Sequence, residues 1–200
     1  APSKSGGAGH NYPDIKYLLQ TPQGKYIPVM IEVKGTKGAL AKINEQNVPD
    51  NTNSKGEPAY NNIAKFAVNG AVHYANAILK YSKTYNEVIA IGVNGYDQPN
   101  GDTIYEISTW YISKENLFIP KYVGDFSDLS FLQPKHTAKL LEKIQNIGLT
   151  DEEIERKKAE LEDDIENKKK NLNQKMHDVL QISVDRRVQL VTGLIMAGLG

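Results

Sequence analysis

Apolar residues along the first half of the chain alternate with polar ones or recur at helical spacing, and the switches between the two periods mark the elements. Ile27, Val29, Ile31 and Val33 occupy every second position, which predicts a strand carrying them on one face and Met30, Glu32 and Lys34 on the other. A shorter strand-like stretch begins at Pro13-Asp14-Ile15. Thr21-Pro22-Gln23-Gly24 lies between the two and has the residues of a turn that folds them into a hairpin. Residues 61–81 are alanine-rich and helical in period, with Ile63, Ala67, Ala71, Tyr74, Ile78 and Tyr81 on one face and Asn69, His73, Asn76 and Lys80 opposite. Glu87 to Val93 reads as a buried strand, Asn94-Gly95 and Gln98-Pro99-Asn100-Gly101 as turns, and Thr103 to Ile112 as a second alternating strand.

The order strand, strand, helix, strand, strand predicts an α/β fold with a mixed central sheet and flanking helices. Two polar segments interrupt it. Residues 1–11 are rich in Gly and Ser, and a long loop runs from Gly35 to about Tyr60, with a short helical stretch at Ala39 to Ile43. Residues 113–133 read as an irregular closing segment. Pro134 marks a helix start, and the amphipathic stretch from Thr137 stops at Gly148. Thr150-Asp151-Glu152-Glu153 has the form of a capping box and opens a charged helix to about Leu180. Its narrow apolar stripe is Ile154, Leu161, Ile165, Leu172 and Met176.

Composition adds bounds. Hydrophobic residues make up 40% and mean hydropathy is −0.49, so the core has to come from the first two thirds. Net charge is zero, so only lysines gathered in one cleft would serve a polyanion. With no cysteine there are no disulfides or thiolate zinc sites. The apolar run Leu190 to Gly200 is too short to span a bilayer, and no signal peptide is visible, so a cytoplasmic location away from membranes is expected. The start at Ala1 and the end on Gly200 suggest a fragment.

Pairing of the first two strands would bring Asp14 near Glu32, with Lys34 on the same face as Glu32. Two hard carboxylates suit Mg²⁺, which takes one or two of them and keeps several waters. An adjacent lysine orients a water and offsets charge on a phosphate. A Glu-x-Lys triplet arises by chance roughly once in a chain of this size. Glu155-Arg156-Lys157 and Glu166-Asn167-Lys168 show this, lying in the charged helical run as surface pairs, and Asp14-Ile15-Lys16 fits the same loose pattern. Glu32-Val33-Lys34 differs by ending an apolar strand before a glycine.

Pro13-Asp14 followed by Glu32-Val33-Lys34 resembles the two half-motifs of the PD-(D/E)xK nuclease superfamily, whose core has the same element order. The resemblance implies a metal-dependent DNA endonuclease acting on double-stranded DNA and leaving 5′-phosphate and 3′-hydroxyl ends. Asp14, Glu32 and the Val33 backbone carbonyl would hold Mg²⁺, with Mn²⁺ able to substitute, and Lys34 would serve the attacking water. Asn69, His73 and His10 are accessory candidates, and Lys37 and Lys42 candidate phosphate contacts. No acidic residue precedes Asp14, a departure from the frequent family pattern. Cutting both strands implies transient pairing of two nuclease domains.

The segment Ser183 to Gly198 is similar to the helix leading into adenine methyltransferase modules. This implies a type IIG-like restriction–modification fusion, with S-adenosylmethionine relevant only if such a domain follows Gly200. The expected layout is a nuclease domain over 1–133, a helical connector over 134–182 and the start of a further domain over 183–200, all parts of one longer polypeptide. Two alternatives are a type I restriction subunit, in which the same core precedes an ATP-driven translocase, and a catalytically silent nuclease-like fold that binds DNA or acts as a scaffold.

Overall fold

The computed structural model describes residues 2–116, 118–147 and 151–178, together with 186, 189, 192 and 193. It divides into two units, Ala1–Ile147 and Gly148–Gly200.

In the first unit the alternating segments form a five-stranded mixed sheet with strands in sequence order. These are β1 (Ile15–Gln20), β2 (Tyr26–Lys34), β3 (Glu87–Asp97), β4 (Thr103–Ser113) and β5 (Lys121–Phe126). Only β2 and β3 pair in parallel; the other neighbours are antiparallel. A parallel pair needs a crossover, here residues 35–86, which carries α1 (Tyr60–Lys65) and α2 (Ala67–Tyr81). The last helix of the unit is α3 (Pro134–Gln145), preceded by a short 3₁₀ turn at Ser130–Leu132.

Strand alternation sorts the side chains into two layers. Val29, Ile31, Ile89, Ile91, Ile107 and Val123 meet Phe131, Leu132, Leu140 and Ile144 from the 3₁₀ turn and α3. On the other face Met30, Val88, Ala90, Trp110 and Ile112 meet Val68, Ala71, Val72, Ala75 and Leu79 of α2. The expected α/β architecture is therefore present. Because α3 buries Leu140 and Ile144 in the sheet's core, it belongs to the α/β unit, which extends past residue 133.

Other boundaries also differ from expectation. The helix over 61–81 breaks at Phe66, which is extended at φ −108° and ψ 136°. The first amides of α2, on Ala67 and Val68, donate instead to the carbonyls of Ala39 and Leu40 at 2.9 and 2.8 Å. A tertiary contact thus supplies the cap, so no Gly or Pro is needed at the break. Residues 39–43 are not helical.

Strand β3 runs through Asn94-Gly95, and the turn falls at Gln98–Asp102, where the Gln98 amide donates to Asp102 and Gly101 takes φ +88°. The segment after 113 holds β5, an edge strand whose Gly124 at φ +149° sits beside a register shift in β4.

The long loop is ordered by a repeated turn. Asn44 Oδ1 accepts from Gln46 and Val48, and Asn53 Oδ1 accepts from Lys55 and Glu57. Asn47 and Gly56 hold the same left-handed position in each, at φ 57° and 78°. These side-chain bonds stand in for backbone partners and turn a polar stretch into two small hairpins.

The second unit contains α4 (Asp151–Asp178). Of its predicted stripe, Ile165 and Leu172 are exposed; the side chains of Ile154, Leu161 and Met176 lie outside the described residues, as does Thr150. Nearly all of the methyltransferase-like segment over 183–200 lies outside them too.

Candidate active site

Register decides which residues meet. Ile15 pairs with Ile31 in the antiparallel β1–β2 ladder, so one step further Asp14 stands opposite Glu32. Asp14 is exposed, and its Oδ2 accepts the Val33 amide at 2.7 Å. A carboxylate thus continues the ladder where β1 ends. It is the Val33 amide that this contact engages; the Val33 carbonyl remains a candidate ligand on resemblance alone.

Glu32 is 1% exposed, and two glycines make that burial possible. It pairs with Gly92 of β3, where a Cβ would fall 2.5 Å from the Val68 backbone of α2. A Cβ on Gly70 would lie 3.0 Å from Glu32 Cγ. The first turns of α2 therefore sit directly on the sheet and close over the carboxylate.

A buried carboxylate needs compensating charge. Glu32 Oε1 accepts from Lys34 Nζ at 3.2 Å and from Lys4 Nζ. The other oxygen, Oε2, is buried with no hydrogen-bond partner among the described residues, and the same holds for Tyr74 Oη. Lys4 also stands over the Tyr74 ring, 5.6 Å from its centroid, within cation–π range. Burial works to lower the Lys4 ammonium, but the hydrogen bond and charge of Glu32 outweigh it and hold its pKa above the ordinary lysine value. Burial raises the Tyr74 phenol, with Lys4 pulling the other way and Glu32 adding to the rise.

Lys4 is the residue that sequence reasoning missed. It sits in Ser3-Lys4-Ser5-Gly6-Gly7, where no periodicity signals burial. Several contacts anchor this segment over the site. His73 donates from Nε2 to the Pro2 carbonyl at 3.0 Å, Ser3 is buried, and Pro2 bridges His10. Gly6, at φ +78°, lies against the Tyr60 ring, where a Cβ would come within 2.8 Å.

The accessory candidates fall elsewhere. Asn69 is fully buried but serves the loop: its Oδ1 accepts the Lys42 amide at 2.8 Å, and its Nδ2 donates to Lys42 O and Asn51 Oδ1 at 3.0 and 2.8 Å. Both amide hydrogens are committed, so Asn69 holds the crossover together and is not an accessory to Glu32. His73 is spent on Pro2, His10 is exposed, and Lys37 and Lys42 are exposed on the loop.

The chain is 25% identical over 132 residues, 66% of its length, to the type II restriction enzyme and methyltransferase RM.BcgI of Heyndrickxia coagulans. The chain is similar to a restriction–modification enzyme. It spans only 18% of that relative's length. No family model and no solved structure matches it.

Among the described residues no helix is long and apolar enough to cross a membrane, and no group of three or more His, Cys, Asp or Glu side chains converges as a metal cage. What the site offers is two carboxylates, Asp14 just before β1 and Glu32 on β2, and two ammonium groups. One buried carboxylate oxygen still lacks a partner.

Proposed function

We propose that this chain is the metal-dependent endonuclease domain of a restriction–modification enzyme, hydrolysing phosphodiester bonds in double-stranded DNA. The observation that carries the reading is Glu32: a carboxylate 1% exposed whose Oε2 has no partner among the described residues, one step beyond the Ile15–Ile31 pair and so opposite Asp14. An unsatisfied buried acceptor costs about 1–3 kcal/mol, a cost that a bound cation would remove. The donor set fits a small hard ion. Asp14 and Glu32 supply oxygen only, matching the one or two carboxylates Mg²⁺ takes while it keeps waters, and Mn²⁺ accepts the same ligands.

Asp14, Glu32 and, on the resemblance, the Val33 carbonyl would hold the ion. When bound, it would lower the pKa of a coordinated water and neutralise charge on the scissile phosphate. The chain's own residues do the rest. Lys34, 22% exposed at the mouth of the site, orients the attacking water and faces the phosphate. The Asp14–Val33 hydrogen bond fixes one carboxylate relative to the other. DNA is the substrate class on the strength of the likeness to RM.BcgI. Cleavage of both strands would then bring two such domains together transiently.

The test is nicking of supercoiled plasmid with Mg²⁺ or Mn²⁺ by the parent, Glu32→Ala and Lys34→Ala. Each substitution should lower the rate on the order of a hundredfold to a thousandfold. A parent that cuts no faster than either variant removes the enzymatic reading.

One observation favours a second reading. Lys4 and Lys34 already surround Glu32 with positive charge, as a silent nuclease-like fold serving to bind DNA would require. Duplex binding without cleavage, unchanged by Glu32→Ala, would support that alternative.

A further inference from the structure

A second unpartnered oxygen lies one strand away from Lys34. Asn94 of β3 pairs in register with Lys34 of β2, and Glu106 of β4 pairs with Asn94. Paired positions on neighbouring strands share a sheet face, so Lys34, Asn94 and Glu106 form a row across three strands on the face that carries Glu32. Asn94 is fully buried, and its Nδ2 donates to Glu106 Oε2 at 2.9 Å. An ionised carboxylate only accepts, so this bond fixes the amide's orientation. Its nitrogen faces Glu106, and its oxygen faces away. That oxygen, Oδ1, is buried with no partner among the described residues.

We infer that Asn94, held by Glu106, is a positioning residue for Lys34: its free Oδ1 receives the Lys34 ammonium when Glu32 no longer does. The physical need follows from the proposed function, on which the catalytic part of this inference rests. Lys34 now donates to the same Glu32 carboxylate that the cation would use. An ammonium and a divalent cation repel each other at one carboxylate, so Lys34 has to shift to a neighbouring acceptor. Asn94 Oδ1 is a neutral acceptor at the paired position, and Glu106 behind it adds a negative charge that favours an ammonium there. In this position Lys34 stays beside the reacting centre without competing for the metal's ligand.

The test has one arm that needs no metal. The side-chain ¹⁵N resonance of Lys34 is followed in metal-free protein for the parent, Glu32→Gln, Asn94→Leu and the double variant. With Glu32 neutralised, Lys34 should keep a slowly exchanging ammonium signal, and Asn94→Leu in that background should abolish it while leaving the thermal midpoint in place. The swap Asn94→Asp with Glu106→Gln reverses the hydrogen bond but keeps an oxygen toward Lys34, so it should restore the signal. An unaltered Lys34 signal on adding Asn94→Leu to Glu32→Gln overturns the inference.

The second arm is calorimetry with Mn²⁺ alone. Asn94→Leu should weaken binding about 10- to 100-fold, the usual effect of removing a group that orients a site from behind. It should have no further effect once Lys34→Ala is present. Equal loss in the Lys34→Ala background would mean a structural role only and would also overturn the inference. If the parent binds no Mn²⁺, the nuclease reading fails, while the resonance arm still decides the Lys34–Asn94 contact.

Discussion

The two faces of the sheet are built from the same strands yet obey different rules. The α3 face is an ordinary core: Val29, Ile31, Ile89, Ile91 and Ile107 meet Leu140 and Ile144. Tyr111 on this face is also satisfied, its Oη donating to Glu87 at 2.9 Å. The α2 face starts the same way at Met30, Ala90 and Trp110. Two residues along β2 it then buries Glu32, and Glu32 Oε2, Tyr74 Oη of α2 and Asn94 Oδ1 of β3 on this face have no hydrogen-bond partner among the described residues. Thr109 Oγ1, at a position paired with Ile91, lies on the other face and also lacks a partner among the described residues. One side is built almost wholly from apolar contacts, while the other buries a carboxylate and leaves acceptors open, as the proposed cation site requires. The strands' parallel order puts that open end at the carboxyl ends of β2 and β3, where adjacent C-terminal residues from different strands are gathered.

If that division is right, truncation on the α3 face should affect stability alone. Leu140→Ala leaves a cavity beneath a residue that is 3% exposed and should cost about 2–5 kcal/mol in urea unfolding. The nicking rate should be unchanged at temperatures well below the melt. A rate loss comparable to that of Glu32→Ala would break the contrast.

The α2 face should behave in the opposite sense. Replacing the charged trio together (Lys4→Met, Glu32→Leu, Lys34→Met) exchanges a desolvated ion cluster for apolar contacts. It should leave the protein equally stable or more stable by about 1–4 kcal/mol, with cleavage and Mn²⁺ binding gone. Loss of stability in the triple variant would mean that the trio is structural.

A smaller effect sharpens the comparison by pH. Burial, then the Glu87 hydrogen bond and charge, raises the Tyr111 phenol well above its ordinary value of 10.0. The unfolded chain therefore releases this proton first, and above about pH 10 the folded state holds more protons than the unfolded one. Stability from this group is thus fully present below pH 10 and lost as pH rises beyond it. Tyr111→Phe should cost about 1 kcal/mol at pH 7 and flatten the decline in thermal midpoint between pH 10 and 11.5. A parallel decline in parent and variant would count against it.

The smallest change is expected away from both faces. The Glu166–Lys170 pair on α4 is 3.7 Å long, with side chains 65% and 70% exposed. Such i,i+4 pairs contribute about 0.3–0.5 kcal/mol, so Glu166→Gln should shift helicity by circular dichroism only slightly, and less at high salt.

What could be read from the chain follows from where information is local. Strict alternation at Ile27 to Val33 and Thr103 to Ile112 marks strands, although both faces of β2 are buried, one in the core with α3 and one in the core with α2. A hairpin joining β1 to β2 set Asp14 opposite Glu32, because a two-residue period leaves little freedom in register. Asn94-Gly95 was misleading for the opposite reason. The dipeptide favours a turn locally, but eleven paired positions with β4 keep it extended. The break at Phe66 likewise has no local cause, since its compensating carbonyls come from Ala39 and Leu40.

By itself, then, the sequence determined four of the five strands, the helical stretch between them and their order, along with the carboxylates and lysine that a strand would present together. Those follow from side-chain period and turn chemistry, which act over a few residues. Only the tertiary structure decided that Gly70 and Gly92 would let a helix close over Glu32, and that Lys4 would arrive from an unpatterned terminus. It alone gave Asn69 to the loop and left Asn94 with a free oxygen. Each of these depends on contacts between segments far apart in the chain, a matter of packing that no short stretch of sequence encodes.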